Sequence, residues 1–303
     1  MSFTDLPEYK FFQIEDDRKL AYREYGENNN KVVICIHGLT RNSSDYHFLA
    51  LKLLEINYRV IVPDIAGRGE SDALKSPEDY NYHFYRDDIL RFLDHLKIEN
   101  CEWIGTSMGG VIAFLVNEMR SSFITKLILN DIGPQIPYKT TRNILQYFLR
   151  SKETFDSFEA IEKQIKLTFT FFGISKKEDW DFFINHSIKQ NPDKTYSFRY
   201  RKDIFYSIKD DYTINEKLRG DGAWDLWAKL INIPILLIWG DLSTMLTIDT
   251  TRKMQQSHSN FQKITIRGVG HTPHFMNEEL NSIVVNWMEN GVLIKDEIKN
   301  FIL

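Results

Sequence analysis

The sequence predicts an α/β protein: a mostly parallel sheet with helices packed on both faces. Three observations lead there. Short apolar, β-branched runs of the kind buried on both faces, such as Lys31–His37, alternate with stretches of helical length and helical periodicity. One such run meets a helical one at Gly105-Thr106-Ser107-Met108-Gly109, a G-x-S-x-G turn. Hydrophobic residues make up 43% of the 303 residues and charged residues 26%, enough apolar side chain for one large domain with an insertion.

Taken in order, Lys10–Ile14 and Arg18–Tyr25 read as a hairpin around Glu15-Asp16-Asp17. Lys31–His37 is the first fully buried strand. A helix over Asp45–Glu55, with apolar Phe48, Leu49, Leu51, Leu53 and Leu54, leads to the strand Arg59–Pro63. Ile89, Leu90, Phe92, Leu93 and Leu96 mark an amphipathic helix over Tyr85–Leu96. Cys101–Thr106 enters the G-x-S-x-G turn, and the helix leaving it runs to about Arg120. Ile124–Asn130, Ile233–Trp239 and Gln262–Arg267 complete eight expected strands, with a helix over Ile248–Gln256 between the last two. Residues 134–229 break the rhythm. They hold no convincing buried strand and are rich in aromatics, so they read as a helical insertion over the C-terminal edge of the sheet, where open α/β sheets bind ligands. Most of its rings are expected to hold the insertion together, and a few to line a cleft.

Composition excludes several classes. The net charge of −4 has both signs interspersed, which argues against nucleic acid as a partner. The first residues lack the basic and apolar regions of a signal peptide, and no apolar run reaches the ~18 residues of a membrane span. Cys35 and Cys101 fall in neighbouring buried strands, so both are expected as free thiols in a reducing, cytoplasmic setting. No metal-binding spacing and no nucleotide loop occurs, so neither metal nor cofactor is expected. The expected partner is a small-molecule substrate, acted on by a monomer or homodimer.

A serine on so sharp a turn projects its hydroxyl clear of the sheet, which makes Ser107 the candidate nucleophile. It needs a base to take its proton. Of the eight histidines, His271 follows the last strand and so reaches the same sheet edge, with His274 as runner-up. His37 is expected to shape its loop, and His47, His83, His95, His186 and His258 to be satisfied in core or surface. Two carboxylates end strands between serine and histidine: Asp131 and Asp241. The Met108 amide, directly after the serine, is the first expected oxyanion donor. Arg41 either binds a carboxylate of the substrate or is a solvated loop arginine. Gly67 and Gly69 belong to a tight turn rather than a phosphate loop, and Ser71 is structural.

These residues together resemble the α/β-hydrolase fold family, in the serine-hydrolase branch with a helical cap. The motifs are His37-Gly38-Leu39-Thr40-Arg41-Asn42, Asp64-x-x-Gly67-x-Gly69-x-Ser71, Gly105–Gly109, Trp239-Gly240-Asp241 and Gly270-His271. With Leu129–Pro134 they are similar to a bacterial subgroup described only as hydrolases. The resemblance implies an eight-stranded core over residues 1–133 and 230–303, a cap over 134–229, and a second oxyanion amide at Leu39. It also implies a departure. Much of the family carries the triad acid three residues after the Trp-Gly glycine, where this chain has Ser243, followed by Thr244. Some members place it after the preceding strand, the position of Asp131, and the aspartate following Trp-Gly is commonly non-catalytic. Asp131 is therefore preferred, with Asp241 as the alternative acid. Serine at the elbow argues against the branches that use a carboxylate nucleophile. The expected activity is cleavage of a carboxylic ester or related acyl bond through an acyl-enzyme. C–C bond or amide hydrolysis with the same triad is an alternative, and so is a ligand-binding protein with little turnover.

Overall fold

The computed structural model describes residues 5–15, 17–209, 214–293 and 301–302. In chain order the first half of the core comprises β1 (Lys10–Glu15), β2 (Arg18–Tyr25), β3 (Lys31–Ile36), α1 (His47–Glu55) and β4 (Tyr58–Pro63). It continues with α2 (Tyr82–His95), β5 (Cys101–Thr106), α3 (Met108–Met119) and β6 (Ile124–Asn130). The insertion then supplies α4 (Tyr138–Arg150), β7 (Thr154–Phe155), α5 (Phe158–Thr168), α6 (Lys177–Ser187), β8 (Ile188–Gln190), β9 (Tyr196–Phe198), α7 (Tyr206–Lys209), α8 (Ile214–Arg219) and α9 (Trp224–Ala228). The core resumes with β10 (Ile235–Gly240), α10 (Ile248–Ser257), β11 (Phe261–Arg267), α11 (Glu278–Asn290) and β12 (Phe301–Ile302).

The main sheet runs β1-β2-β4-β3-β5-β6-β10-β11-β12. β1 pairs antiparallel with β2, and β2 with β4; every other pairing in it is parallel. The eight expected strands are all present. The ninth, β12, is two residues on the outer side of β11, too short to leave a periodicity in the sequence.

Alternation along the parallel strands divides the core. Ile34, Ile36, Trp103, Leu127, Leu129, Leu237 and Trp239 share one core with apolar residues of α2, α3 and α10. Val33, Cys35, Ile104, Ile128, Leu236 and Ile238 face α1 and α11. Both faces are dry, which is why these strands read as continuous apolar runs. Cys35 and Cys101 are buried free thiols on adjacent strands.

Element boundaries shift for identifiable reasons. α2 starts three residues earlier than the apolar pattern suggests because the Asn81 side chain caps it, accepting from the Phe84 amide at 2.9 Å. β10 begins after Pro234, which has no N–H to give a ladder. The insertion is mostly helical but contains a three-stranded antiparallel sheet, β7-β9-β8, which the sequence reading lacked. Strands of two or three residues carry too little alternation to be seen. The insertion has its own core of Phe155, Ile161, Ile165, Phe169, Phe183 and Phe198, while Phe205, Leu226 and Trp227 join the main core. Among the described residues, no helix is long and apolar enough to cross a membrane.

Candidate active site

Ser107 stands between β5 and α3 with φ +49° and ψ −111°, a conformation that L-residues avoid. The turn is so tight that only glycine fits two residues to either side. A Cβ on Gly105 would lie 2.5 Å from the Gly109 carbonyl carbon, and one on Gly109 would lie 2.1 Å from the Ile36 oxygen. β3 and α3 thus meet backbone to backbone, and the strain at Ser107 is held by the packing around it.

His271 follows β11, and its Nε2 lies 2.8 Å from Ser107 Oγ. Its Nδ1 lies 2.7 Å from Asp131 Oδ2. An ionised carboxylate only accepts, so Nδ1 carries the proton and Nε2 presents its lone pair to the serine hydroxyl. Asp131 is fully buried just past β6, at φ +55°, with its amide donating to the Ile238 carbonyl. Its other oxygen accepts from the Gly240 amide at 3.2 Å, and Oδ2 also accepts from the Ser243 hydroxyl at 2.5 Å.

The loop of His271 is tied down from two sides. Asn130 Nδ2 donates to the Pro273 carbonyl at 2.8 Å, and the Gly270 amide donates to the Phe171 carbonyl of the insertion at 2.6 Å. Asn130 also donates to Thr106 Oγ1 at 3.2 Å, and Thr106 Oγ1 in turn meets Tyr46 Oη at 2.7 Å. The residues just before Ser107 and Asp131 are therefore linked to each other and to the histidine loop. Ser107 itself is 8% exposed.

The structure separates the two candidate carboxylates. Asp241 is exposed and accepts from the Gly268 amide at 2.7 Å, so it closes the β10 and β11 ends rather than meeting the imidazole. His274, the runner-up base, lies in the loop before α11, which begins four residues later, capped by Asn277. Its Nδ1 accepts from the Met276 amide at 3.1 Å, and burial pushes its pKa down to about 4, so it is a neutral structural ring. His37 is likewise buried and neutral, with pKa lowered to about 3 by desolvation. It lies between the Gly38 carbonyl at 2.7 Å and the Ile65 amide at 3.0 Å.

Gly38 passes close to the serine: a Cβ built on it would be 3.9 Å from Ser107 Cβ. The same loop carries Leu39. Among the described residues, neither the Leu39 nor the Met108 amide donates to a protein acceptor. Beside both sits Arg68, fully buried, with Nε donating to the Leu39 carbonyl at 2.9 Å and Nη2 3.6 Å from Met108 Sδ. Arg68 lies between the two turn glycines, and nothing in the sequence around it signals a buried guanidinium. Ser71 holds that turn, donating to the Asp64 carbonyl at 2.6 Å.

Arg41, expected to reach a substrate carboxylate or to lie solvated in its loop, is buried and turned to the protein's own groups. Its guanidinium is buried, donates to Asp45 and to Ser187 of α6, and lies over the Phe183 ring at 3.7 Å. It is a tie between the β3 loop and the insertion. Asn42 makes a second, to the His186 carbonyl at 2.8 Å, and the Gly69 amide a third, to the Arg199 carbonyl at 2.8 Å. A small cavity of about 20 Å³ lies between Thr106, Asn130 and Pro273 of the core and Phe172, Phe182 and Phe183 of the insertion.

Comparison with known proteins agrees with this architecture. The family model for the alpha/beta hydrolase fold matches residues 31–278, and the chain belongs to that family as an enzyme of the hydrolase class. Among its relatives is the 3-hydroxybutyrate-oligomer hydrolase of Cupriavidus necator, 29% identical over 264 residues, which span 85% of this chain and 88% of the relative. A solved structure described as a hydrolase from Rickettsia typhi superposes with a TM-score of 0.81 at 33% identity, covering 90% of this chain and 91% of that one. An alpha/beta hydrolase from Novosphingobium aromaticivorans gives the same TM-score at 25% identity, covering 94% and 99%.

Proposed function

We propose that this enzyme is a serine hydrolase that cleaves a carboxylic ester, or a related acyl bond, of a small molecule. The observation that carries the reading is the run of two short hydrogen bonds from Ser107 through His271 to the buried Asp131. Asp131 holds the imidazole in the tautomer whose Nε2 accepts the serine proton, and its charge stabilises the imidazolium that forms. Ser107 Oγ attacks the carbonyl carbon as His271 takes its proton. The Leu39 and Met108 amides receive the developing oxyanion, each typically contributing ~2.7–4 kcal/mol in such sites. His271 then passes its proton to the leaving group, which departs and leaves the acyl group on Ser107. A water attacks that ester with His271 again as base, and the acid leaves as the serine recovers its proton.

Residues 134–229 act in this reading as a cap on a core formed by 1–133 and 230–303. Support comes from the contacts of Phe171, His186, Ser187 and Arg199 with the loops that carry Gly270, Asn42, Arg41 and Gly69. Excluding water there strengthens the electrostatic terms at the serine.

The test is labelling by a fluorophosphonate probe, beside turnover of activated esters of graded acyl length. Because of the Cupriavidus relative, 3-hydroxybutyrate oligomers belong in the panel. The wild type should label and hydrolyse, and Ser107→Ala should do neither. A wild-type protein that binds esters without turnover or labelling would instead be a ligand-binding member of the fold.

A further inference from the structure

We propose that Ser243 is a positioning residue of the site, its hydroxyl holding the Asp131 carboxylate in the plane from which it meets His271. The proposal rests on the Ser107–His271–Asp131 reading above. Ser243 Oγ lies 2.5 Å from Asp131 Oδ2, the same oxygen that accepts from His271. The direction of its single proton is dictated by its other partners. Oγ accepts from the Met245 amide at 3.2 Å and from the Leu246 amide at 3.3 Å, which occupies its lone pairs and leaves the O–H to donate to the carboxylate.

The serine is placed by a turn. Its amide donates to the Gly240 carbonyl at 3.0 Å, and Gly240 in turn donates to Asp131 Oδ1 at 3.2 Å. One turn at the end of β10 thus supplies a donor to each oxygen of a carboxylate standing at the end of β6. Hydrogen bonds to a carboxylate shielded from solvent are of the strong, charge-assisted class. The chain carries a hydroxyl at the place where its resemblance to the family would put the acid itself, and that hydroxyl supports the acid at its other location.

The Ser243 O–H directs its positive end at the oxygen that His271 uses. It weakens the pull of the carboxylate on a proton at the imidazole, so its loss should make His271 hold that proton to higher pH. The ring meets Asp131, just past β6, and Ser107 at the elbow. Asp241, at the end of β10, is turned to the Gly268 amide.

Fluorophosphonate labelling reads this without knowledge of the substrate. The second-order labelling rate is measured from pH 5 to 9 for wild type, Ser243→Ala, Ser243→Thr and Ser107→Ala, with thermal unfolding run on each. Wild type should rise along one acid limb to a plateau. Ser243→Ala should reach a plateau on the order of tenfold lower, the scale of one lost hydrogen bond to a charged group. Its acid limb should move up by about half to one pH unit. Ser243→Thr keeps the hydroxyl and should restore both. An alanine variant with the wild-type plateau and limb overturns the proposal. So does a lowered plateau with an unmoved limb that threonine fails to rescue, since that is a loop damaged rather than a donor lost. Labelling that persists in Ser107→Ala overturns the underlying reading and this proposal with it.

Discussion

Replacing Asp131 by asparagine changes one atom and leaves no arrangement of the amide that satisfies the site. The carboxylate accepts three hydrogen bonds, from Gly240 on Oδ1 and from Ser243 and His271 on Oδ2. An amide with its oxygen toward His271 points its NH₂ at the Gly240 N–H, donor against donor in a fully buried place. Turned the other way, it presents NH₂ to His271. The imidazole then shifts its proton to Nε2 and can no longer take one from Ser107. Loss of the correct tautomer costs on the order of 10⁴ in kcat, about 5 kcal/mol in the barrier. Asp241→Asn should behave differently, because its exposed carboxylate serves one backbone amide, Gly268, and an amide oxygen can replace it. Its kcat should stay within about threefold of wild type, as expected of a surface change. Both variants are assayed on the best activated ester of the panel, with labelling rates in parallel. If Asp241→Asn loses activity and Asp131→Asn keeps it, the acid is Asp241 and the mechanism above is wrong.

Ser107→Ala and His271→Ala should each abolish turnover, and the double variant should be hardly worse than either, because the groups act as one unit; kcat/KM on the same ester measures this. Gly109→Ala should prevent folding to soluble protein, since its Cβ would stand 2.1 Å from the β3 backbone. Gly268→Ala, at φ +74° with nothing within 4 Å of its Cβ, should cost only the left-handed strain of about 1–2 kcal/mol in chemical denaturation. Buried His37 and His274, with pKa lowered to about 3 and about 4, bind fewer protons folded than unfolded once the pH drops below the unfolded value of about 6.5. Stability should therefore fall as pH falls through that window. Calorimetry should give a Tm that declines from pH 7 to 5, less steeply in His274→Gln.

Much of this protein is written locally. The strands could be read because both sheet faces are dry, so every position of Val33–Ile36 or Leu236–Ile238 is apolar whichever way it points. The elbow could be read because its steric demands fall on residues two apart in the chain, Gly105 and Gly109 around Ser107. Order along the chain narrows the histidine, since a residue after the last long strand must emerge at the sheet edge where Ser107 emerges.

What the sequence leaves open involves partners far apart in the chain. Asp131 and Asp241 both end strands, and only the resemblance to the family favours Asp131, because neither carries a steric demand of its own. The parallel register of β6 beside β10 brings Asp131 under the imidazole and leaves Asp241 to the β11 turn. Arg41 looks solvated until α6 covers it, 146 residues away. Ser243 looks like a missing acid until the turn at Gly240 folds its hydroxyl onto a carboxylate 112 residues earlier. The strands, the elbow and the edge at which they converge follow from short-range sterics and burial, which neighbouring residues carry. The meeting of carboxylate and histidine, and the donors that hold it, come from the packing of distant segments, because a hydrogen bond depends on distance in space and not on separation along the chain.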